Sequence, residues 1–387
     1  MTINTSHTQL EEISANTTNS VKSPTLLVMA GGTGGHIFPG IAVADELKAQ
    51  GWNIHWLGTA DRMEANIVPA HGYDISFLNI SGLRGKKLVS MFSVPIKLIR
   101  SVQQARRVIK QVKPDVVLGM GGYASAPGGF AAWLMRVPLI IHEQNAAAGL
   151  SNRLLARIAN KVCCAFPNAF ASNIEAEVVG NPLRSSIGKK STIEQNAEKT
   201  ISPVTKNILV VGGSLGAQVL NNVIPESFKG LLIRNKNYCL WHQTGAGNQQ
   251  AVSANYELAD IEQGKVKVSE FIHDMAAAYE WADLVICRAG ALTVSELAMA
   301  ATPAIFVPLP HAVDDHQTKN ALYLVERSAA KLLPQSELNK ESVITLITEL
   351  FEQPEVLVNM AKASFEAANR DASTQVARLC QQLNNTN

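Results

Sequence analysis

Two glycine-rich turns in matching surroundings constrain this chain more than any other feature. Gly31-Gly32-Thr33-Gly34-Gly35 follows the apolar run TLLVMA, Gly212-Gly213-Ser214-Leu215-Gly216 follows NILVV, and each leads into a stretch of helical period. A buried strand, a tight glycine turn and a helix form the opening unit of a parallel, doubly wound sheet. Meeting that unit twice in 387 residues predicts two such sheets, as domain-size statistics also favour. NIHWLG, DVVLGM, PLIIHE and KVCCAF read as further strands of the first half, separated by segments such as GIAVADELKAQ and PIKLIRSVQQARRVIK. YCLWHQ, KVKVSEF, DLVICR and PAIFVP repeat the pattern in the second. The expected fold class is therefore α/β, with two Rossmann-like doubly wound domains facing an interdomain cleft. Residues 1–23 read as a loose polar tail, 24–182 as the first domain and 183–370 as the second. The hinge falls near Gly180-Asn181-Pro182, beside a polar, strandless stretch from Ser185 to Pro203. A last helix within 371–387 suits docking on either domain.

A hydrophobic share of 47% against 17% charged residues is enough for two real cores, which sets disorder aside. The formal net charge of +2 gives no bulk electrostatic reason to expect a nucleic-acid partner. Five cysteines (Cys163, Cys164, Cys239, Cys287, Cys380) form no CxxC and no Cys/His zinc spacing, and read as reduced, cytosolic packing residues. The polar start of the chain lacks the basic and apolar regions of a secretion signal. With no run of about 18 apolar residues, contact with a membrane would be peripheral.

Each glycine turn aims backbone N–H groups and a helix start at a place where a diphosphate or a developing oxyanion can sit. A tight turn with no ligand is the plain alternative, since neither turn fits GxGxxG with its acidic partner or carries a Walker lysine. His36 directly follows the first turn, at the strand end where open α/β sheets bind ligands, and its imidazole can take a proton from an attacking hydroxyl. A hydrogen-bonded structural histidine is the other reading. In the second half, Arg288 to Glu296 follows the strand DLVICR and opens a helix. Its N–H groups suit phosphate and Glu296 suits a ribose diol, while a Thr293/Glu296 capping box would need no ligand. Asp314 and Asp315 stand before another helix and read as caps and dipole partners, so no metal is expected. Gln317, able to donate and accept, suits a sugar or simple solvent exposure.

Taken together, GGTGGH, SGLRGKK, GMGGYASAPGG, HEQN, AFPNA, VVGNPLR, GGSLGAQ, CRAGALTVSE and DDHQTKNA occur in one order between about residues 25 and 325. In that order they resemble the MurG-type transferases of peptidoglycan synthesis, a pathway on which cell shape and division depend. The resemblance implies a GT-B fold whose C-terminal domain binds UDP-N-acetylglucosamine and whose N-terminal domain binds undecaprenyl-diphospho-N-acetylmuramoyl-pentapeptide. It implies inverting transfer of N-acetylglucosamine to the acceptor's 4-hydroxyl, with no cofactor. Thr33, Gly34, Gly35, Asn145, Arg184, Ser214, Ile272, Ala291, Leu292, Thr293, Val294, Ser295, Glu296 and Gln317 match the family's substrate-binding positions. Ile272 would meet uracil through its backbone, Ser214 and the Ala291 turn the diphosphate, Glu296 the ribose and Gln317 the sugar hydroxyls. His36 matches the candidate base. The resemblance also implies a peripheral place on the cytoplasmic face of the inner membrane, among cell-wall synthesis proteins.

One basic segment supports that location. Between Arg84 and Lys113 nine cations, among them Lys86, Lys87, Arg106 and Arg107, are interleaved with Leu88, Met91, Phe92, Ile96, Leu98 and Ile99, and no acid interrupts them. Such a surface gains roughly 1 kcal/mol per cation near anionic lipid, whereas a solvated helix face over ordinary core is the plain reading. Rival readings are a UDP-sugar epimerase or diacylglycerol glycosyltransferase of the same plan, and a silent sugar-nucleotide-binding subunit. HEQN, GGY and SGLRGKK speak against the enzymes, and His36 beside an intact turn against the silent subunit.

Overall fold

The computed structural model describes residues 23–79, 94–184, 186–187, 205–310 and 312–386. SGLRGKK, with Lys86 and Lys87, almost all of the N-terminal tail and most of the polar stretch after Ser185 lie outside the described residues.

The first half runs β1 (Thr25–Ala30), α1 (Gly34–Ala49), β2 (Asn53–Gly58), α2 (Glu64–Ala70), β3 (Asp74–Phe77), α3 (Val94–Val112), β4 (Val116–Gly121), α4 (Ser125–Leu134), β5 (Leu139–Glu143), α5 (Leu150–Leu155), β6 (Lys161–Cys164) and β7 (Glu177–Val178). The second runs β8 (Lys206–Val211), α6 (Gln218–Arg234), β9 (Tyr238–Gln243), α7 (Gln249–Ser253), α8 (Leu258–Glu262), β10 (Val266–Ser269), α9 (Met275–Trp281), β11 (Leu284–Cys287), α10 (Ala291–Met299), β12 (Ala304–Phe306), α11 (His316–Val325), β13 (Ala330–Leu332), α12 (Lys340–Glu352), α13 (Pro354–Ala367) and α14 (Ala372–Asn385).

The strand orders are β3-β2-β1-β4-β5-β6-β7 and β10-β9-β8-β11-β12-β13. All pairings are parallel, so the two sheets wind alike and each reverses direction beside its own glycine turn, after β1 and after β8. Short strands β3, β7 and β13 escape the sequence reading because DISF, EV and AKL are too brief to show a period.

Along β1 the side chains alternate between two apolar layers. Leu26, Val28 and Ala30 pack with Ile37, Ile41 and Leu47 of α1, while Leu27 and Met29 face Ala105 of α3, Ala131 of α4 and Leu155 of α5. A strand covered on both faces has no reason to alternate in polarity, which is why Leu26 to Ala30 are all apolar. Helix α14 docks on the first sheet: Val376, Ala377, Leu379 and Cys380 join the α1 layer. The chain therefore crosses between halves twice, and the crossings touch, since a Cβ on Gly180 would lie 2.5 Å from the Cβ of Asn369.

The first turn sits directly on the end of β4. Gly122 has φ +88, and a Cβ there would come within 2.3 Å of the Gly31 carbonyl oxygen. Gly122→Ala is expected to cost about 2–3 kcal/mol of stability in chemical denaturation. Gly51→Ala is the control, because Gly51 shares the left-handed backbone (φ +86) with nothing within 4 Å of its added Cβ. Equal losses in the two variants would mean that the close approach contributes nothing.

Candidate functional site

His36 lies in the first turn of α1, and its Nδ1 is 3.2 Å from the Gly31 carbonyl oxygen and 3.4 Å from the Thr33 hydroxyl. A carbonyl only accepts, so the ring carries its proton on Nδ1 and leaves the lone pair on Nε2. That edge meets β4 where the chain is glycine: a Cβ on Gly121 would stand 2.7 Å from Cδ2 and 3.0 Å from Nε2. Desolvation lowers the His36 pKa, while the charge of Glu143, the Gly31 hydrogen bond and the charge of Glu64 raise it. The balance favours the neutral ring, the form a proton acceptor needs.

The two acids near His36 are both buried, and neither was singled out in the sequence. Glu143 closes β5 and takes hydrogen bonds from the Asn145 N–H (3.0 Å), Gly149 N–H (3.0 Å) and Asn152 amide (2.9 Å). Glu64, in the DRMEA segment, accepts from the Gly32 N–H at 2.9 Å, so one donor that the sequence reading offered to an anion is already occupied. A glutamate at the start of a short amphipathic helix normally faces water, and nothing in the local pattern marks Glu64 as buried.

In the second half the turn Gly212 to Gln218 forms one wall of a cavity of about 750 Å³, with Arg288, Gly290, Thr293, Leu309, Gln317 and Gln335 around it. Ser214, at the tip of that turn, also borders a neighbouring cavity of about 450 Å³ that Phe271 and His273 flank. Between those two residues, Ile272 turns its side chain into the core and can present only backbone. Gln317 accepts from the Leu309 N–H at 2.9 Å, which fixes its amide along the larger cavity. Ser214, Thr293 and Gln317 are thus brought together, with Ile272 at the adjoining site, whereas Glu296 lines neither cavity. The capping box does not form, because α10 is capped by Gly290 without a side-chain bond. Glu296 instead accepts from the Tyr279 hydroxyl at 3.0 Å. Burial raises the Glu296 pKa, opposed by that hydrogen bond and by the charge of Arg184. Arg184 itself stacks on Phe38 of α1, 4.1 Å from the ring centroid.

Buried amides join the halves. The Asn181 amide donates to the Gln144 carbonyl (3.1 Å) and the Ser295 hydroxyl (2.9 Å). Asn320 accepts from the Ala146 N–H (2.7 Å) and donates to Asn145 Oδ1 (3.3 Å) and the Ala289 carbonyl (3.2 Å). Asn145 and the Ala291–Ser295 turn are thereby linked across the domain boundary, while Thr33, Gly34 and Gly35 stay with His36. Asp315 receives the Thr318 hydroxyl at 2.7 Å. Asp314 is not a cap but pairs with Arg153 of the first half at 3.2 Å. Among the described residues, no three His, Cys, Asp or Glu gather in a metal-binding cluster.

Two glycine turns, each at a switch point of its own parallel sheet, with a cavity of about 750 Å³ beside the second, define a two-domain protein of GT-B fold. Residues 26–164 match the glycosyltransferase family 28 N-terminal domain and residues 207–376 the C-terminal domain. The UDP-N-acetylglucosamine--N-acetylmuramyl-(pentapeptide) pyrophosphoryl-undecaprenol N-acetylglucosamine transferase of Colwellia psychrerythraea is 73% identical over 95% of each chain. The crystal structure of Acinetobacter baumannii MurG superposes with TM-score 0.79 at 39% identity, covering 93% of this chain and 99% of that one. A UDP-GlcNAc 2-epimerase from Neisseria meningitidis superposes with TM-score 0.62 at 15% identity, covering 92% of this chain and 100% of that one, and shares the fold alone. The chain belongs to the MurG family of N-acetylglucosamine transferases.

His142 ties β5 to the first crossing between the halves, its Nε2 lying 2.8 Å from the Gly180 carbonyl oxygen. Burial pushes its pKa from 6.5 down to about 4. Below pH 6.5 the unfolded chain takes up a proton that the folded protein refuses until about pH 4, so stability is full above that window and falls as pH drops through it. His142 alone contributes up to ~1.4 kcal/mol per pH unit. Denaturation midpoints measured from pH 7 to 4 should fall less steeply in His142→Gln than in wild type; parallel curves would refute the assignment.

Proposed function

We propose that this chain moves N-acetylglucosamine from UDP-N-acetylglucosamine to the 4-hydroxyl of undecaprenyl-diphospho-N-acetylmuramoyl-pentapeptide, inverting the anomeric carbon. Residues 24–182 receive the lipid acceptor and 183–370 hold the donor. The observation that carries the chemistry is the seat of the His36 ring, with Nδ1 3.2 Å from the Gly31 carbonyl oxygen and Nε2 beside Gly121. On this reading Nε2 takes the proton of the 4-hydroxyl as that oxygen bonds to the anomeric carbon and the bond from that carbon to the UDP oxygen breaks. The added charge on UDP meets the N–H groups of the Ser214 turn and the start of α10, fixed dipoles that need no metal ion. The engagement of Asp314 with Arg153 and of Asp315 with Thr318 supports that account. Ile272 backbone holds uracil, Glu296 offers the ribose the carboxylate oxygen that Tyr279 leaves over, and Gln317 meets the sugar hydroxyls.

A transfer assay with a short-chain lipid acceptor and a panel of UDP-sugars tests donor, acceptor and reaction class together. In that assay His36→Ala should lower turnover about 100-fold to 10,000-fold while UDP affinity changes little. A comparable loss in both would reduce His36 to a support for the turn.

The enzyme would work at the cytoplasmic face of the plasma membrane, held there peripherally. No helix among the described residues is long and apolar enough to cross a bilayer. Helices α3, α4 and α5 pack side by side on one face of the first sheet. They leave Leu98, Ile99, Phe130, Trp133, Leu150 and Leu154 between 44% and 66% exposed. Arg106, Arg107 and Lys110 are exposed on α3. Apolar side chains beside cations suit an anionic lipid surface. Replacing Lys86, Lys87, Arg106 and Arg107 with Gln should release the protein from anionic vesicles and spare UDP binding. Unchanged co-sedimentation of the folded variant across a salt series would place the membrane face elsewhere.

A further inference from the structure

The two glycine turns are plugged from beneath in the same way by different chemistry. Glu64 Oε2 accepts the Gly32 N–H at 2.9 Å, and Gln243 Oε1 accepts the Gly213 N–H at 2.9 Å. The Gln243 amide also donates to the carbonyls of Gly213 (3.0 Å) and Glu270 (2.9 Å), which an ionised carboxylate cannot do. Glu64, 1% exposed, accepts in addition from the Thr59 N–H (3.0 Å) and the Thr59 hydroxyl (2.7 Å). Three donors converge on its two oxygens, and among the described residues no Lys or Arg forms an ion pair with it. A full negative charge is therefore buried under the first turn, and an uncharged group under the second. An anion at the first turn would meet that charge, and one at the second would not.

Resting on the reading of His36 as the base, we propose that Glu64 is a positioning residue for it. Its carboxylate fixes from below the turn whose Gly31 carbonyl orients the imidazole, and stabilises the ring as it gains the acceptor's proton. The first turn is thereby reserved for proton transfer, and the second, over Gln243, for the diphosphate. The charged groups facing His36 are Glu64 from α2 and Glu143 from the end of β5; the end of β4 presents only glycines. Arg184 lies over the neighbouring Phe38 ring. Of these groups only Glu64 bonds to the turn itself, while Glu143 is spent on the Asn145, Gly149 and Asn152 donors. The direction of the His36 shift agrees, since the charge of Glu64 opposes the effect of burial.

The test compares pH profiles of kcat/KM for the full chain, wild type and Glu64→Gln, with UDP affinity and an NMR titration of the His36 ring. Removing the charge makes the protonated ring less favourable, so the acidic limb and the NMR midpoint should both move down by about half a pH unit or more. Turnover should fall about tenfold or more, with UDP affinity within about twofold. Thr59→Val is nearly isosteric and leaves the carboxylate with one donor fewer. It should move both midpoints upward by a few tenths, so it tests the proposal even if Glu64→Gln fails to fold. Glu64→Asp keeps the charge and should hold the limb in place while losing rate. Slower turnover with both midpoints unmoved in Glu64→Gln would overturn the proposal and leave His36 as the base. An NMR midpoint that moves while the rate limb stays would instead overturn the base assignment, and the proposal with it.

Discussion

Backbone meets backbone at the end of β1, and the first half of the molecule is arranged around that contact. The Gly31 carbonyl lies where a Gly122 Cβ would be, so the turn rests on the end of β4 with no side chain between them. This closeness brings the His36 ring over Gly121, with Nδ1 against the Gly31 carbonyl. It also leaves space beneath that only a buried carboxylate fills. The second turn is seated by a close approach on its other side: a Cβ on Gly245, just past the end of β9, would lie 2.0 Å from the Gly216 nitrogen. Glycine at these places is a steric requirement of the turns before it is a ligand requirement.

The halves are held together by amides more than by charge. Asn181 and Asn320 are buried at the boundary, and each makes hydrogen bonds to both halves. Side-chain amides can satisfy donors and acceptors on two surfaces without the desolvation cost of an ion pair. The exposed Arg153–Asp314 pair adds little by comparison. Helix α14 reinforces the joint by returning the chain to the first sheet, so the two halves share two crossings that touch at Gly180 and Asn369.

Much of the fold was legible because strands covered on both faces are written as short apolar runs, LLVMA and LVIC among them, set between turn residues and helical stretches. The glycine turns, His36 and the Ser214 and Ala291 segments could be placed at strand ends for a related reason: strand end, turn and helix start are local in sequence. Short edge strands carried too little pattern. For Glu296 the local alternative to a ribose contact, a capping box, does not form, and its partner is Tyr279, 17 residues away. Asp314 was read as a helix cap and pairs with an arginine 161 residues earlier.

The sequence by itself determined that this chain builds two parallel sheets, that each opens on a strand and a glycine turn, and which histidine follows the first turn. Those are consequences of hydrophobic period, turn chemistry and chain order, all carried by near neighbours. Only the tertiary structure decided which His36 nitrogen faces the Gly31 carbonyl, where the last helix docks and that a carboxylate plugs one turn and an amide the other. It also decided that α3, α4 and α5 pack side by side while Leu98, Ile99, Phe130, Trp133, Leu150 and Leu154 stay exposed. Each of these depends on groups that sequence separates and packing brings within hydrogen-bond or van der Waals range, and no local pattern encodes a distance of that kind.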